Sequence, residues 1–167
     1  MSFYLYLMRH AKSDWSVQGL ADFDRTINLR GQKNAKQIGE WMTQNNFLPH
    51  EIISSSAVRA RQTIELLVQQ SGSLSLEDVQ FDKDLYLASM DELMECIQLY
   101  RKDTESIMLV AHNPGIEQLV NHLVHPASRM INITTANLAI IEFTDCGFDP
   151  EKDKGALIKL IRPKELD

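Results

Sequence analysis

The sequence predicts a three-layer α/β/α sandwich with a mostly parallel central sheet. Short apolar segments typical of buried strands alternate along the 167 residues with longer amphipathic segments typical of helices. Strands joined through helices favour parallel pairing, with helices covering both faces of the sheet. Because 44% of the residues are apolar and no linker or repeat divides the chain, we predict a single domain over residues 1–167.

The first half of the chain supplies two predicted strands, and a helix follows each of them. The run FYLYLM at 3–8 is apolar and rich in aromatic side chains, which is typical of a buried strand. The polar stretch from Lys12 to Asn28 is long enough to be a functional loop. A helix with one apolar face is predicted at 30–45, a strand at 51–56 and a second helix at 57–71.

The second half completes the predicted sheet. Its strongest strand signal is the continuous apolar run SIMLVAH, which the turn-forming NPG sequence separates from an amphipathic segment. The predicted elements are a partly extended stretch at 79–87, a helix at 90–102, a strand at 106–112, a helix at 113–124, and closing strands at 138–144 and 156–161.

Composition limits the partners that we expect. The net charge is −6, the pI is about 5.3 and no lysine or arginine run is present, so we expect no nucleic-acid partner. No apolar run reaches the ~18 residues of a membrane span, and the N-terminus lacks the basic region and cleavage site of a signal peptide. We therefore expect a cytoplasmic monomer without a membrane partner.

The cysteines and one pair of histidines give no metal-binding pattern. Cys96 and Cys146 are far apart in the sequence and belong to no CxxC motif, so we expect free thiols. His122 and His125 have no cysteine or carboxylate partner at ligand spacing, so we expect solvated side chains.

Side chains that can bind anions follow three predicted strands. The first strand runs directly into Arg9 and His10, and the second leads into a helix that carries Arg59 in its first turn. The fourth predicted β-segment ends at His112. Ligands of parallel α/β sheets bind where the strands end at their carboxyl edge, so we expect these four side chains to converge.

Two arginines and two histidines together suit a phosphoryl group. Guanidinium groups bind phosphate oxygens in a bidentate manner, and helices that begin after the strands direct free N–H groups toward an anion. A histidine in such a pocket can hydrogen-bond the phosphate, or it can attack phosphorus and form a phosphoenzyme. Imidazole titrates near neutral pH, so a nucleophilic ring is available in the cell.

Three motifs resemble those of the histidine phosphatase superfamily, also called the phosphoglycerate mutase-like group. They are Arg9-His10-Ala11, the stretch SSSAVRARQT from Ser54 to Thr63, and the stretch VAHNPG from Val110 to Gly115. Further stretches are similar to the SixA-type phosphohistidine phosphatases: RHAKSDW, Asp22 to Ala35, Asp84 to Ser89, and Thr134 to Ile141. The resemblance covers nearly the whole chain and implies a phosphoglycerate mutase-like fold.

The resemblance implies a role for each of the four residues. His10 would be the nucleophile that becomes phosphorylated, and Arg9 and Arg59 would bind the phosphoryl oxygens. His112 would donate a hydrogen bond to the phosphoryl group. The family needs no metal, so we expect neither a metal nor any other cofactor.

Three more residues are candidates for contacts with the substrate. Arg25 lies in the long loop, within a stretch similar to the SixA-type proteins, and Ser13 and Asn113 are close in sequence to the two histidines. Ala11 departs from the family motif, which has glycine at this place. If the backbone there needed a positive φ, the alanine would be strained by roughly 1–2 kcal/mol.

The acid that protonates the leaving group in many larger relatives has no clear counterpart. Glu77, Asp78, Asp82 and Asp84 lie in the corresponding region, but that region resembles the small SixA-type proteins. An alkoxide leaving group needs a proton, whereas the imidazole of a phosphohistidine leaves more readily. A missing acid therefore favours a phosphoramidate substrate.

These observations favour a phosphatase that works through a phosphohistidine intermediate. Its expected substrate is a phosphohistidine on a protein, such as a phosphotransfer domain. One alternative is a phosphomonoesterase or mutase of the same superfamily that acts on a small phosphorylated molecule, for which an acid positioned near residues 77–84 would be the sign. The other is a non-catalytic phosphate-binding module, which would not need His10 as a nucleophile.

Overall fold

A computed structural model describes residues 1–101, 103–124, 129–144 and 148–167 of the chain. Over these residues it contains six strands in one sheet, with helices packed on both faces. The predictions made for Cys146 and His125 lie outside the described residues. Cys96 is a buried free thiol.

The strand order places the first strand at the centre of the sheet. The strands are β1 Phe3–Arg9, β2 Glu51–Ser55, β3 Val79–Asp82, β4 Ser106–Ala111, β5 Leu138–Phe143 and β6 Ala156–Ile161. The order is β3-β2-β4-β1-β5-β6, and β5 runs in the direction opposite to the other five strands. The predicted α/β class and the mostly parallel sheet are therefore confirmed.

In the described part of the chain, four α-helices cover the sheet and create two apolar layers. They are α1 Leu29–Gln44, α2 Val58–Ser71, α3 Met90–Tyr100 and α4 Gly115–Leu123. Side chains alternate between the faces of a strand, so Leu5 and Leu7 of β1 pack in the layer of α3 and α4, while Tyr6 and Met8 pack in the layer of α1 and α2. Burial on both faces explains why β1 is apolar from Phe3 to Met8.

The stretch predicted to be partly extended is a short strand followed by a turn. Strand β3 ends at Asp82 because the Asp82 side chain accepts a hydrogen bond of 2.8 Å from the Asp84 N–H and caps a 3-10 turn at Lys83–Leu85. This turn ends the ladder and brings Tyr86 beside the carboxyl edge of the sheet, where its ring is 5.5 Å from that of His112.

The connection between β4 and α4 depends on a close backbone approach at Gly115. A Cβ atom at this position would lie 2.2 Å from the carbonyl oxygen of Ala88, so no larger residue fits without a shift of the backbone. The start of α4 therefore packs directly on the segment that follows Tyr86.

Candidate functional site

The site lies where β1 and β4 end side by side. Arg9 is paired with Ala111 in the last register position of these two parallel strands, so the residues that follow, His10 and His112, are neighbours. Their ring centroids are 5.1 Å apart. The structure thus brings together the two histidines that are far apart in the sequence.

His10 is held in one orientation by the backbone that follows it. The ring is 7% exposed, and its Nδ1 lies 2.8 Å from the carbonyl oxygen of Ala11. A carbonyl can only accept, so Nδ1 carries the hydrogen and the neutral ring has its lone pair on Nε2. Burial, together with the charges of Arg59 and Arg9, lowers the pKa of His10 to about 4. At neutral pH the ring is therefore uncharged, with a nucleophilic nitrogen at Nε2.

The backbone after His10 is supported by a buried threonine from helix α2. The Ala11 N–H donates to the Thr63 hydroxyl at 2.9 Å, and this hydroxyl donates to the carbonyl of Arg59 at 2.6 Å. Ala11 is not among the residues with positive φ, so the strain that a left-handed backbone would cause does not arise. Thr63 belongs to the second sequence motif, but its role became visible only in the fold.

A left-handed residue fixes the same loop from the other side. Ala136 has a φ of 59°, and its N–H donates to the carbonyls of both Arg9 and His10 at 3.1 Å. An alanine in this region of backbone space is strained by roughly 1–2 kcal/mol. The two hydrogen bonds offset this strain and tie the turn at 134–137 to the end of β1.

His112 is more deeply buried than His10. It is 2% exposed, and its Nε2 lies 2.7 Å from the hydroxyl of Ser55 at the end of β2. The Ser55 oxygen accepts from the Ala57 N–H at 3.2 Å, and among the described residues His112 Nε2 is the acceptor within reach of its hydrogen, so the hydroxyl donates to Nε2. In this tautomer the hydrogen of the ring is on Nδ1, which is buried and has no partner among the described residues. A bound anion would satisfy this donor.

The pKa of His112 is also far below the ordinary value of histidine. Burial, followed by the neighbouring His10 and the charge of Arg59, lowers it to about 3. Both rings are therefore neutral near pH 7, so the positive charge in the pocket comes from the arginines.

The two arginines expected to bind phosphate lie at this edge of the sheet. Arg9 donates from Nη1 to the carbonyl of Ile133 at 3.2 Å, and its buried Nε has no partner among the described residues. The side chain of Arg59 is only 6% exposed. Its Nη1 donates to the backbone carbonyl of Asp22 at 2.6 Å, and its Nη2 donates to the carboxylate Oδ2 of Asp22 at 3.0 Å.

Asp22 and Tyr86 also belong to the site, although neither was predicted from the sequence. The Tyr86 hydroxyl donates to Oδ2 of Asp22 at 2.5 Å, so one carboxylate oxygen serves both Tyr86 and Arg59. The hydrogen bond from Tyr86, followed by the bond and charge of Arg59, lowers the pKa of Asp22. The same hydrogen bond raises the pKa of Tyr86. Both residues belong to stretches similar to SixA-type proteins, but nothing in those stretches indicates that they meet.

Arg25 reaches the site through Asp22. Its guanidinium carbon lies 3.7 Å from the centre of the Trp15 ring, and its Nη1 donates to the Asp14 carbonyl at 3.3 Å. Its Nε is 3.9 Å from Oδ1 of Asp22. Arg25 therefore lies at the rim of the site, and its contact with a substrate stays a prediction.

Ser13 and Asn113 have structural partners of their own. Ser13 is buried and pairs with Ile27 in an isolated antiparallel bridge. The Asn113 amide nitrogen donates to the carbonyl of Ile133 at 2.9 Å, and its amide oxygen accepts from the Glu117 N–H at 3.3 Å. Substrate contacts for both residues stay predictions.

Two further properties concern the described residues as a whole. No group of three or more histidine, cysteine, aspartate or glutamate side chains among them could hold a metal ion. No helix in that part of the chain is long and apolar enough to cross a membrane.

Comparison with known proteins confirms the family resemblance. Residues 5–96 match the family model described as histidine phosphatase superfamily (branch 1). Among solved structures, a candidate phosphohistidine phosphatase SixA from Agrobacterium tumefaciens superposes with a TM-score of 0.82 at 27% identity, over 96% of this chain and 98% of that one. The protein histidine phosphatase SixA solved with tungstate has a TM-score of 0.81 at 19% identity, over 99% and 100% of the two chains.

A curated sequence relative extends beyond the part that this chain matches. An uncharacterized chloroplastic protein of Arabidopsis thaliana is 30% identical in an alignment of 145 residues that covers 83% of this chain and 65% of that protein. The chain thus spans slightly less than two thirds of its length.

The support of the His10 loop by Thr63 gives a prediction about stability. Thr63→Val keeps the shape but leaves the buried Ala11 N–H without an acceptor, so we expect unfolding to become easier by about 1–3 kcal/mol. Thr63→Ser keeps the hydroxyl and should cost less, about 1 kcal/mol. Urea denaturation of the three proteins measures this order. A valine variant as stable as the serine variant would contradict the proposed support.

The buried histidines give a prediction about pH. Their pKa values in the folded protein, about 4 and about 3, are below the ordinary value, so on acidification the unfolded chain binds protons that the folded chain does not. The free energy of unfolding therefore keeps its full contribution from the two neutral histidines above about pH 6.5. It falls as the pH drops toward 4, by at most about 2.7 kcal/mol per pH unit for two groups.

Urea denaturation between about pH 7.5 and pH 4.5 tests this expectation, because the ordinary histidine titration lies in that window. In His112→Asn one of the two groups is absent, so the slope of stability against pH should be about half as steep. A variant with the slope of the wild type would show that His112 does not bind its proton preferentially in the unfolded chain.

Proposed function

The chain belongs to branch 1 of the histidine phosphatase superfamily, and on this basis we propose that it is a phosphatase whose His10 is transiently phosphorylated. The observation that carries the proposal is the state of His10. Its Nδ1–H is fixed on the carbonyl of Ala11, its ring is neutral at physiological pH, and its Nε2 has the lone pair. A group held in this way is an activated nucleophile.

The first step transfers the phosphoryl group to the enzyme. Arg9 and Arg59 bind the phosphoryl oxygens, and the Nδ1–H of His112 is available to do so. Nε2 of His10 forms a bond to phosphorus while the bond from phosphorus to the leaving group breaks, and the leaving atom takes the electron pair. The phosphorylated ring now carries a positive charge because Nδ1 keeps its hydrogen.

The second step releases phosphate. A water oxygen forms a bond to phosphorus, and the bond between phosphorus and Nε2 breaks. The electron pair returns to Nε2, so His10 leaves as a neutral imidazole and needs no acid. Inorganic phosphate carries away the oxygen of the water, and one proton passes to phosphate or solvent.

The charges at the site favour a phosphohistidine as the substrate. Among the described residues, the carboxylate in direct contact with the arginine clamp is Asp22, whose pKa is lowered. Asp22 is therefore ionised at neutral pH and has no proton to donate. An alkoxide would need that proton, whereas a phosphohistidine ring protonated on its distal nitrogen leaves as neutral imidazole.

The acidic residues considered from the sequence offer no replacement. Three of them are exposed near the edge strand β3: Glu77, Asp78 and Asp84. The fourth, Asp82, caps the turn that follows this strand. Among the described residues no hydrogen bond joins these four to the histidines or arginines of the site. This arrangement counts against the small-molecule monoesterase.

The surroundings of the site support a protein as the carrier of the phosphohistidine. The loop after His10 exposes three apolar side chains, with exposed fractions of 66% for Trp15, 50% for Val17 and 39% for Leu20. Exposed apolar groups beside a reactive pocket are typical of a surface that docks another protein. A phosphotransfer domain carries its phosphohistidine on a folded surface of the kind that such a loop could contact.

Turnover of two substrates tests the proposed function. A phosphohistidine peptide and p-nitrophenyl phosphate are offered to the wild type, to His10→Ala and to His122→Ala, with a chelator present. We expect fast hydrolysis of the peptide, a loss of at least about 1000-fold in His10→Ala, and little change in His122→Ala. His122 is a half-buried residue of α4 whose Nε2 lies 3.3 Å from the carbonyl of Pro150 and makes no contact with the site residues.

Two results would overturn the proposal. Preferred turnover of the aryl ester over the peptide would favour the small-molecule phosphatase. Binding of the peptide without hydrolysis in the wild type would favour a phosphate-binding module.

A further inference from the structure

We propose that Asp22 selects substrates by the charge of their leaving group and favours a cationic one. The inference rests on the proposed phosphatase function and assigns a specificity to that same site. It follows from the position, the charge and the exposure of one carboxylate, which no sequence motif of the chain identifies as functional.

The charges around the phosphoryl position leave little capacity for a second anionic group. His10 and His112 are neutral, so Arg9 and Arg59 supply the positive charge at the centre of the site. A phosphoryl dianion balances these two cations. Asp22 then adds a negative charge in direct contact with Arg59, at 3.0 Å. The one further cation that the structure places near this carboxylate, among the described residues, is Arg25, which is 3.9 Å from Oδ1 and stacks on the Trp15 ring.

The exposed fractions of the two side chains show on which side of Arg59 the carboxylate lies. The Arg59 side chain is 6% exposed, whereas the side chain of Asp22 is 46% exposed. Asp22 therefore lies on the outer side of the arginine, toward solvent. The leaving group of a substrate must also point outward, because the nucleophile attacks phosphorus in line from the buried His10.

Neighbouring groups hold the carboxylate in this position. Oδ2 accepts from Tyr86 at 2.5 Å and from Arg59 at 3.0 Å, and the backbone carbonyl of Asp22 also accepts from Arg59 at 2.6 Å. Oδ1 is 3.9 Å from Nε of Arg25. A carboxylate held by its neighbours keeps its distance to a bound leaving group, so its electrostatic effect is not lost to side-chain motion.

This arrangement matches the chemistry of a phosphohistidine. A substrate ring protonated on its distal nitrogen is positively charged before the bond between phosphorus and nitrogen breaks, and the electron pair of that bond neutralises it on departure. Asp22 attracts this cation. The same carboxylate repels a leaving group that carries a carboxylate or a second phosphate.

A merely positional role of Asp22 makes a different prediction. If Asp22 only held Arg59, its replacement would weaken binding of every phosphoryl group to the same extent. If its charge selects the leaving group, replacement changes the ratio between cationic and anionic substrates.

The experiment compares two aryl phosphates that differ in the charge of one ring substituent, a trimethylammonium group or a carboxylate. Their kcat/KM values are measured for the wild type, for Asp22→Asn and for Asp24→Asn, and each protein is also given a phosphohistidine peptide. Asparagine keeps an oxygen that accepts from Tyr86 and Arg59, so the clamp stays supported. Asp24 is an exposed carboxylate of the same 3-10 turn, which makes its variant a matched control.

We expect the wild type to prefer the cationic ester. In Asp22→Asn this preference should shrink about fivefold at low ionic strength, and added salt should reduce the difference between the two proteins. The preference should be unchanged in Asp24→Asn. An equal loss on both esters in Asp22→Asn, or an unchanged ratio, would overturn the inference.

The peptide separates this inference from the proposed function. If the wild type hydrolyses the peptide but Asp22→Asn leaves the ratio of the esters unchanged, the function stands and the role of Asp22 falls. If the ratio changes but no protein hydrolyses the peptide, the role of Asp22 in charge selection stands and the phosphohistidine substrate falls.

Discussion

The hydrogen bond from Nδ1 of His10 to the carbonyl of Ala11 is the contact on which the chemistry of the site depends. It fixes the tautomer because a carbonyl oxygen can only accept, and it fixes the orientation of the ring because the Nδ1–H must point at that oxygen. Burial beside two guanidinium groups then keeps the ring neutral. Either condition alone would be insufficient: a neutral ring free to rotate would rarely present Nε2 in line, and a fixed but protonated ring would have no lone pair.

The fold supplies this contact through elements that are distant in sequence. Helix α2 supports the loop through Thr63, and the turn around Ala136 binds the carbonyls of Arg9 and His10. Strand β2 orients His112 through Ser55. These supports come from strands on both sides of β1 and from one helix layer. The position of the His10 ring therefore depends on how several elements of the fold pack together.

Much of this arrangement could be predicted from the sequence, because the apolar pattern locates the strands and the ends of the strands locate the residues of the site. The segments that become β1 and β4 are almost entirely apolar, so their parallel pairing and the meeting of His10 with His112 follow from α/β topology. Asp22 and Tyr86 could not be found in this way. They are polar residues in loops, where no periodicity applies, and they meet only because Asp82 ends β3 with a capped turn. At Ala11 the sequence suggested a strain that the structure does not have. The family motif has glycine at this position, but the backbone of Ala11 does not adopt a positive φ.

Direct capture of the phosphorylated enzyme tests the account at its centre. The protein would be mixed with a substrate labelled on phosphorus, quenched with alkali within milliseconds, digested, and searched for a labelled peptide. A phosphoramidate is stable in alkali and labile in acid. We predict a label of this kind on the peptide that contains His10, and its loss in His10→Ala. Turnover of the substrate with no label on the enzyme at any quench time, or with the label on another residue, would contradict it.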